Sequence, residues 1–361
     1  MATQLAPILP HPPAARLKLS KVAAFPGLRA LVWHGDVLYA SRGYGLLRAK
    51  VGANSIQWEE VGRAQIDWWR KLTSLSSLSA RLCRDGFHAL AVLSSGELVG
   101  AIPSAIVTLG LAEQEFRLCH RVQRGTRPLH IAVSPLDHVF WGEYFDNPHR
   151  EEVHIFASRD RGDHWDVAYT FPKGAIRHVH NIVYDPWDDC LWVLTGDNGS
   201  ECRILRAACD FSRVEVVLSG KQQTRAVALV PTRDAVYFSS DTPLETNHVY
   251  RLDRGGKLTE ASTLSSSSIC ACQVGSAVFF STMVEPSKTN LEPNVCIYGS
   301  FAEGHWSRPL QWRKDRWPMR LFQYGNAFLP DGNNSTDLLA VTTVGVEGAD
   351  CETALWRVSE E

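Results

Sequence analysis

The stretch 177–219, RHVHNIVYDPWDDCLWVLTGDNGSECRILRAACDFSRVEVVLS, decides the fold. It divides into RHVHNIVYD, a turn PWDD, CLWVLTG, a loop DNGSE, CRILRA and VEVVLS. Each string is short, rich in β-branched and aromatic residues, and bounded by Gly, Pro, Asp or Asn. The following unit has the same layout: TRAVALV, turn PTRD, AVYFSSD, a loop, HVYRLDR, turn GG, KLTEAST. Counterparts of the second string recur as DVLYASR from Asp36, HALAVLS from His88, HVFWGEY from His138, DAVYFSSD from Asp234, SAVFFST from Ser276 and DLLAVTT from Asp337. With DCLWVLTGD from Asp189, successive starts lie 52, 50, 51, 45, 42 and 61 residues apart. A period of roughly 40 to 60 residues with several strands per period is the pattern of a β-propeller.

The reading is therefore an all-β, seven-bladed β-propeller with four-stranded blades, strands A to D running outward from the axis. A β-sandwich with a long extension is the alternative. The last unit holds LFQYGNAFLP, DLLAVTTV and ALWRVSE, and so ends one strand short. The segment ARLKLSKVAAF at 15–25 has strand composition and no local partner. It is expected to supply the missing outer strand, which ties the termini together and covers a sheet edge. Residues 1–14, with four prolines, read as a flexible tail, and 15–361 as a single domain. Helical periodicity is confined to Trp69, Leu72, Leu75 and Leu78, one short helix inserted between blades.

Composition narrows the function. The 361 residues carry 37 Lys plus Arg against 39 Asp plus Glu, a formal charge of −2, so no basic excess marks a nucleic-acid partner. The longest apolar run, Ala101 to Ala112, is too short to cross a bilayer and contains Pro103. Nine cysteines, without a CxxC pair or an export-type N-terminus, read as reduced thiols in the cytoplasm. P-loop, GxGxxG, GxSxG and HExxH motifs are missing, as is the blade-ending WD dipeptide.

One motif carries a resemblance. Ser158-Arg159-Asp160-Arg161-Gly162-Asp163-His164-Trp165 matches S-x-D-x-G-x-x-W, the Asp-box. In this the chain resembles the sialidase-like, BNR-repeat β-propeller superfamily; FPKGAIRHVHNIVYDP and LFQYGN also resemble glycosyl-hydrolase-like bacterial proteins of that group. The resemblance implies a hairpin between strands C and D, with Ser158 and Asp160 bonding to local backbone, Gly162 at positive φ and Trp165 packed between blades. That makes Asp160 and Trp165 structural residues. A degenerate copy, GSFAEGHW, spans 299–306. Sialidases use three arginines, a Tyr–Glu pair and an Asp; Arg177 and Arg225 are the arginines that match, and no third is evident. The resemblance thus implies the architecture more than the sialidase reaction.

Propeller topology locates a site. The starts of A strands and the B-to-C loops converge at one mouth of the central channel, with the Asp-box turn on the opposite face. The loops bring Glu143, Tyr144, Asp197, Glu201, Asp241, Glu245, Asn247, His248 and Glu285. The A-strand starts bring Arg177, His178, His180, Arg225, Gln323, Tyr324 and Asn326. Such a funnel collects acid–base groups.

His178, His180, Glu143, Glu201, Glu245 and Glu285 are the catalytic candidates. Substrate-binding candidates are Arg177, Arg225, Tyr144, Asp197, Asp241, Asn247, His248, Gln323, Tyr324 and Asn326. His178 and His180, two apart on a strand, point to one side and suit two metal ligands, with His248 or a glutamate completing the sphere. A divalent ion in the channel is the cofactor that pair would take; the plainer reading is one hydrogen-bonded wall residue and one channel-lining imidazole. Arg177 and Arg225 either clamp an anionic group or bridge to Asp197 and Asp241.

The expected function is an enzyme, glycoside hydrolase or lyase-like, acting at the funnel on a carbohydrate or related polyhydroxylated, anionic small molecule. Hydrolysis would divide acid and nucleophile roles between two glutamates; elimination would need a base beside a neutralised carboxylate. The alternatives are a non-catalytic glycan- or protein-binding propeller and a biosynthetic isomerase or cyclase. The expected partner is a small molecule or glycan, with neither nucleic acid nor membrane, on a monomer or weak homo-oligomer.

Overall fold

A computed structural model of the chain describes residues 16–52, 56–301 and 304–361. The expected tail at 1–14 lies outside the described residues, as does part of the degenerate box at 299–306. Among the described residues the architecture is all-β, with short helical inserts. Four strands each make up the sheets Ala132–Val133 to Asp166–Phe171, Val179–Asp185 to Val214–Ser219, Ala226–Pro231 to Leu258–Leu264, and Ser268–Val274 to Ser307–Arg313. Within each, consecutive strands pair antiparallel in chain order. Residues 29–121 form a continuous nine-stranded sheet with Asp331–Asn334, because Glu59–Ala64 runs parallel to Glu115–Arg121 through Arg63 and Ala64.

The sheets stack face to face because their middle strands are apolar on both sides. Cys190–Thr195, CLWVLT, is buried along its whole length. Its side chains alternate: Leu191 and Val193 pack with Phe140 and Ile155 of the preceding sheet. Cys190, Trp192 and Leu194 pack with Phe238 and Leu252 of the following one. The outer strand Val214–Ser219 has no fully buried residue. A strand buried on both faces near the axis and wetted at the rim is what radial stacking produces. The innermost strands line a shared channel cavity of about 770 Å³, touched by Val32, Ala91, Ala132, Ile182, Leu229 and Ala271.

The ends of the chain meet as expected. Leu17–Pro26 pairs antiparallel with Glu352–Glu360, completing a four-stranded sheet with Leu338–Val344 and Asn326–Phe328. Its register runs from Leu17 opposite Glu360 to Pro26 opposite Glu352.

The expected single helix is two, Trp68–Thr73 and Ser77–Cys83, because the serines at 74 and 76 fall between them. The pair connects an outermost strand to the next innermost one, so it lies on the mouth face. Arg81, only 3% exposed, anchors it to the far end of the chain through Asp315 at 2.7 Å and Asp350 at 3.0 Å. All nine cysteines are free, and no helix among the described residues is long and apolar enough to cross a membrane.

The turn Ser158–Trp165 closes on itself. Gly162 takes φ 92° and its N–H donates to Ser158 Oγ at 2.8 Å. The His164 N–H donates to Asp160 Oδ1 at 2.9 Å. Trp165 packs with Val99 of one sheet and Val139 and Trp141 of the next.

Adjacent sheets approach closely at Gly142, where a Cβ would fall 2.4 Å from Val179 Cγ1 and 2.5 Å from its Cβ. Val179 lies between the two histidines of the candidate site. Gly142→Ala is therefore expected to lower stability by about 1–3 kcal/mol, read as a shifted urea midpoint; an unchanged midpoint would show that the two sheets part freely.

Candidate functional site

The site grows from irregular strand starts. In Val179–Asp185, Val179 opposes Thr195 and Asn181 opposes Leu194, so the register shifts at His180. The innermost strands from Arg29, Ala226 and Ser268 shift register near their starts as well. Such bulges re-aim side chains at a sheet end. Here the bulge turns the His180 ring toward His178, and the ring nitrogens approach to 3.0 Å. From the neighbouring strand, Asp197 arrives through Gly196, at φ 140°, whose Cβ would sit 2.7 Å from Cys202 Cα. Only glycine fits that corner.

The geometry is compact. His178 Nδ1 faces Phe145 O at 3.1 Å and His180 Nδ1 faces Ala226 O at 2.9 Å. The two Nε2 atoms lie 3.7 and 3.5 Å from Asp197 Oδ1. Arg225 Nη2 is 3.2 Å from that oxygen and 3.5 Å from Asp241 Oδ2. Arg177 holds the other Asp197 oxygen at 3.1 Å and also pairs with Asp146. The Tyr144 ring covers His178 with centroids 4.3 Å apart, and Tyr144 remains 36% exposed, so the cluster opens to solvent on that side.

Electrostatics separates two carboxyls that share one guanidinium. Burial pushes Asp241 up to about 7, although Arg225 opposes the shift and the charges of Glu285 and Asp197 add to it. Asp197 goes the other way. Burial would raise it, but its contacts with His178 and His180 and the Arg225 charge outweigh burial and hold it well below the ordinary carboxylate range. His180 is lowered chiefly by burial, and Tyr144 is raised by burial and by the Asp241 and Asp197 charges. Environments that push a pair of carboxyls apart are the arrangement from which acid–base chemistry is built.

Three cationic or imidazole residues missed in the sequence adjoin this cluster. Arg29 has a buried Nε without a partner, stacks on Phe328 at 4.3 Å and approaches His88 Nδ1 at 3.5 Å. Arg127 is driven down to about 9 by burial, then by repulsion from Arg29 and Arg84. His88 is held well below its ordinary value by burial and by the same arginines. Among the described residues none of the three makes an ion pair; Asp331, whose charge reaches Arg29, is bound by His130 at 3.0 Å. Alignment of the repeats carried a signal: Arg29, His88, His178 and Arg225 all stand at or just before the first residue of an innermost strand.

Other expected residues are engaged elsewhere. Glu143 is buried, bound by Arg124 Nε at 2.8 Å and by the His154 N–H at 2.8 Å. Glu201 pairs with Arg150 at 2.7 Å, and Glu245 accepts from Gln223. The structure does not bring His248 to His178 and His180; its ring faces Glu260 at 3.2 Å, because strand alternation turns it outward. Asn247 is locked in a buried network with Thr242 and Asn290. Gln323 donates to Arg81 O at 2.7 Å. Tyr324 is 38% exposed, and Asn326 keeps a buried, unpartnered Oδ1. Glu285 is the one glutamate of the four whose charge reaches Asp241. Arg177 and Arg225 do bridge to Asp197 and Asp241.

No protein-family model matches the chain, and no curated protein matches it. Solved structures do. A chain of the Mitotic Checkpoint Complex is similar with TM-score 0.60 and 11% identity, over 99% of this chain and 98% of that one. The WD40 β-propeller domain of Doa1 gives TM-score 0.58 at 11% identity, covering 95% and 97%. The Niastella koreensis GH74 enzyme gives 0.53 at 15% identity, over 80% of this chain and 46% of its own. At these identities the likeness establishes a β-propeller fold and nothing finer.

The Asp241 carboxyl supplies a test of the electrostatics. Unfolded, it ionises near pH 4; folded, near 7. Between these values the unfolded chain holds fewer protons, so this group makes stability fall as pH rises, by up to about 1.4 kcal/mol per pH unit. Asp241→Asn removes that contribution. Measured by urea unfolding, the variant should gain about 1–3 kcal/mol on the parent between pH 5 and pH 7; parallel pH profiles would show Asp241 already ionised in the fold.

Proposed function

We propose that the chain is an enzyme acting at the propeller mouth on an anionic carbohydrate or a related polyhydroxylated small molecule, by hydrolysis or elimination. One juxtaposition carries the reading. Arg29 and Arg127, cationic groups without an ion-pair partner among the described residues, lie on one side of Tyr144, and Asp241, a carboxyl poised near neutrality, lies on the other. Tyr144 links the two, since its phenol feels Asp241 and Asp197, while Arg127 feels the phenol. Partly buried guanidinium groups that repel one another favour an anion between them. A carboxyl that titrates near 7 both gives and takes a proton at neutral pH. The exposed face of Tyr144 offers a platform for a sugar ring. Asp197, held ionised, orients the histidines.

This proposal includes the finer architectural reading: seven blades, counting the nine-stranded sheet as two, in a single domain over 15–361 of sialidase-like affinity, in the cytoplasm. The GH74 likeness supports sugar chemistry on this fold only by analogy. A second reading has its own observation. The helical insert exposes Trp68, Leu72 and Leu75 at 73, 58 and 81% on the mouth face, which supports a protein-binding propeller.

A panel of uronic-acid glycosides and matched neutral glycosides separates the two. Mass spectrometry should show product from the anionic members alone, with water added on hydrolysis or an unsaturated product on elimination. Asp241→Asn should lower kcat/KM by about 10²–10⁴-fold, and Arg127→Met should raise KM for anionic substrates. Folded protein that turns over none of the panel would shift the reading to binding.

A further inference from the structure

We propose that His178, His180 and Asp197 form a binding site for one divalent transition-metal ion of the zinc class, with His178 Nε2, His180 Nε2 and Asp197 Oδ1 as ligands. The site stands independently of turnover, because a metal can be held there whether or not the mouth catalyses a reaction.

The argument begins with protons. A backbone carbonyl only accepts, so the Nδ1 atoms facing Phe145 O and Ala226 O must each carry a hydrogen. In a neutral imidazole the other nitrogen then carries a lone pair. Two such lone pairs face each other at 3.0 Å, and a carboxylate oxygen faces both. Three acceptors converge with no donor among them. Of the three acceptors Arg225 touches only the Asp197 oxygen, and Tyr144 covers the His178 ring without a hydrogen bond to either imidazole. The convergence needs a cation at its centre, either a metal ion or an extra proton that makes one ring an imidazolium.

Dimensions favour the metal. The three ligand atoms lie 3.0, 3.5 and 3.7 Å apart. The point equidistant from them is about 2.0 Å from each, the length of a zinc–nitrogen or zinc–carboxylate bond. A shared proton explains the nitrogen pair but not why the carboxylate closes the triangle at that radius. Both rings are anchored through Nδ1–H to carbonyls, the outer contact that fixes the tautomer of metal-binding histidines. Arg177 holds the second Asp197 oxygen, which leaves Oδ1 toward the rings. Arg177 is also paired with Asp146, and Arg225 lies against the Asp241 carboxyl. With three protein ligands, the ion would retain open positions for water or a ligand group. Mixed nitrogen and oxygen donors suit zinc, cobalt or manganese better than magnesium or calcium.

The test uses full-length protein stripped with a chelator, then titrated with Zn²⁺ by calorimetry and with Co²⁺ by visible absorption. One equivalent should bind, and Co²⁺ should give ligand-field bands of a nitrogen-bound site. His178→Ala and Asp197→Asn should each weaken Zn²⁺ binding by at least about 100-fold, while His248→Ala should leave it unchanged. Circular dichroism checks that each variant is folded. Because buried His180 tolerates change poorly, its part is read in the parent by ¹⁵N NMR: Zn²⁺ should shift the Nε2 resonances of both rings and leave both Nδ1 protonated. Folded parent protein that binds no stoichiometric Zn²⁺ or Co²⁺ overturns the proposal. So does binding that survives His178→Ala and Asp197→Asn, or an Nε2 proton that persists under saturating metal.

Discussion

Two-sided burial of the middle strands is the constraint on which the rest of the molecule depends. A strand such as CLWVLT has no face it can show to water, so its sheet needs a neighbour on each side. Every sheet passes that requirement to the next. An open stack would leave two unsatisfied faces and two bare edges, and closure removes the faces. The chain achieves closure by backbone hydrogen bonding, because strand Leu17–Pro26 from one end and Glu352–Glu360 from the other pair in the same sheet. Whatever chemistry the mouth performs rests on that ring, since it brings residues 177, 178, 197, 225 and 241 from separate sheets into contact.

Within the mouth, Asp197 organises the charges. It meets two arginines and two imidazoles, and each contact restrains a side chain that would otherwise be free to turn outward. Asp241, on the same Arg225, makes no second ion pair among the described residues and is deeply buried. The two carboxyls therefore differ in protonation although they share a partner. Local burial and the number of cations in contact separate them; residue type does not.

Much of this was legible beforehand. The repeat spacing carried the propeller, the orphan N-terminal strand carried the closure, and the topology rule singled out Arg177, His178, His180, Asp197, Arg225 and Asp241, which do converge. The glutamates fared differently. Glu143, Glu201 and Glu245 each met a partner from an adjacent turn or loop, and a sequence does not show which cation will be closest in space. His248 was misplaced because one step along a strand reverses the side chain. Arg29 and His88 stand at the starts of innermost strands and Arg127 in the connection before Ala132, where no motif or charge pattern in the sequence marks them.

The sequence by itself determined the all-β character, the radial repeat and the meeting of the termini, because alternating burial and turn chemistry are local properties written every few residues. Tertiary structure alone decided that two histidines face each other across 3.0 Å and that one aspartate is ionised while its neighbour titrates near 7. Those outcomes depend on a bulge at His180, a glycine corner at Gly196 and the depth of burial around Asp241. Each is set by neighbouring sheets, and the distances between sheets are not contained in any single stretch of chain.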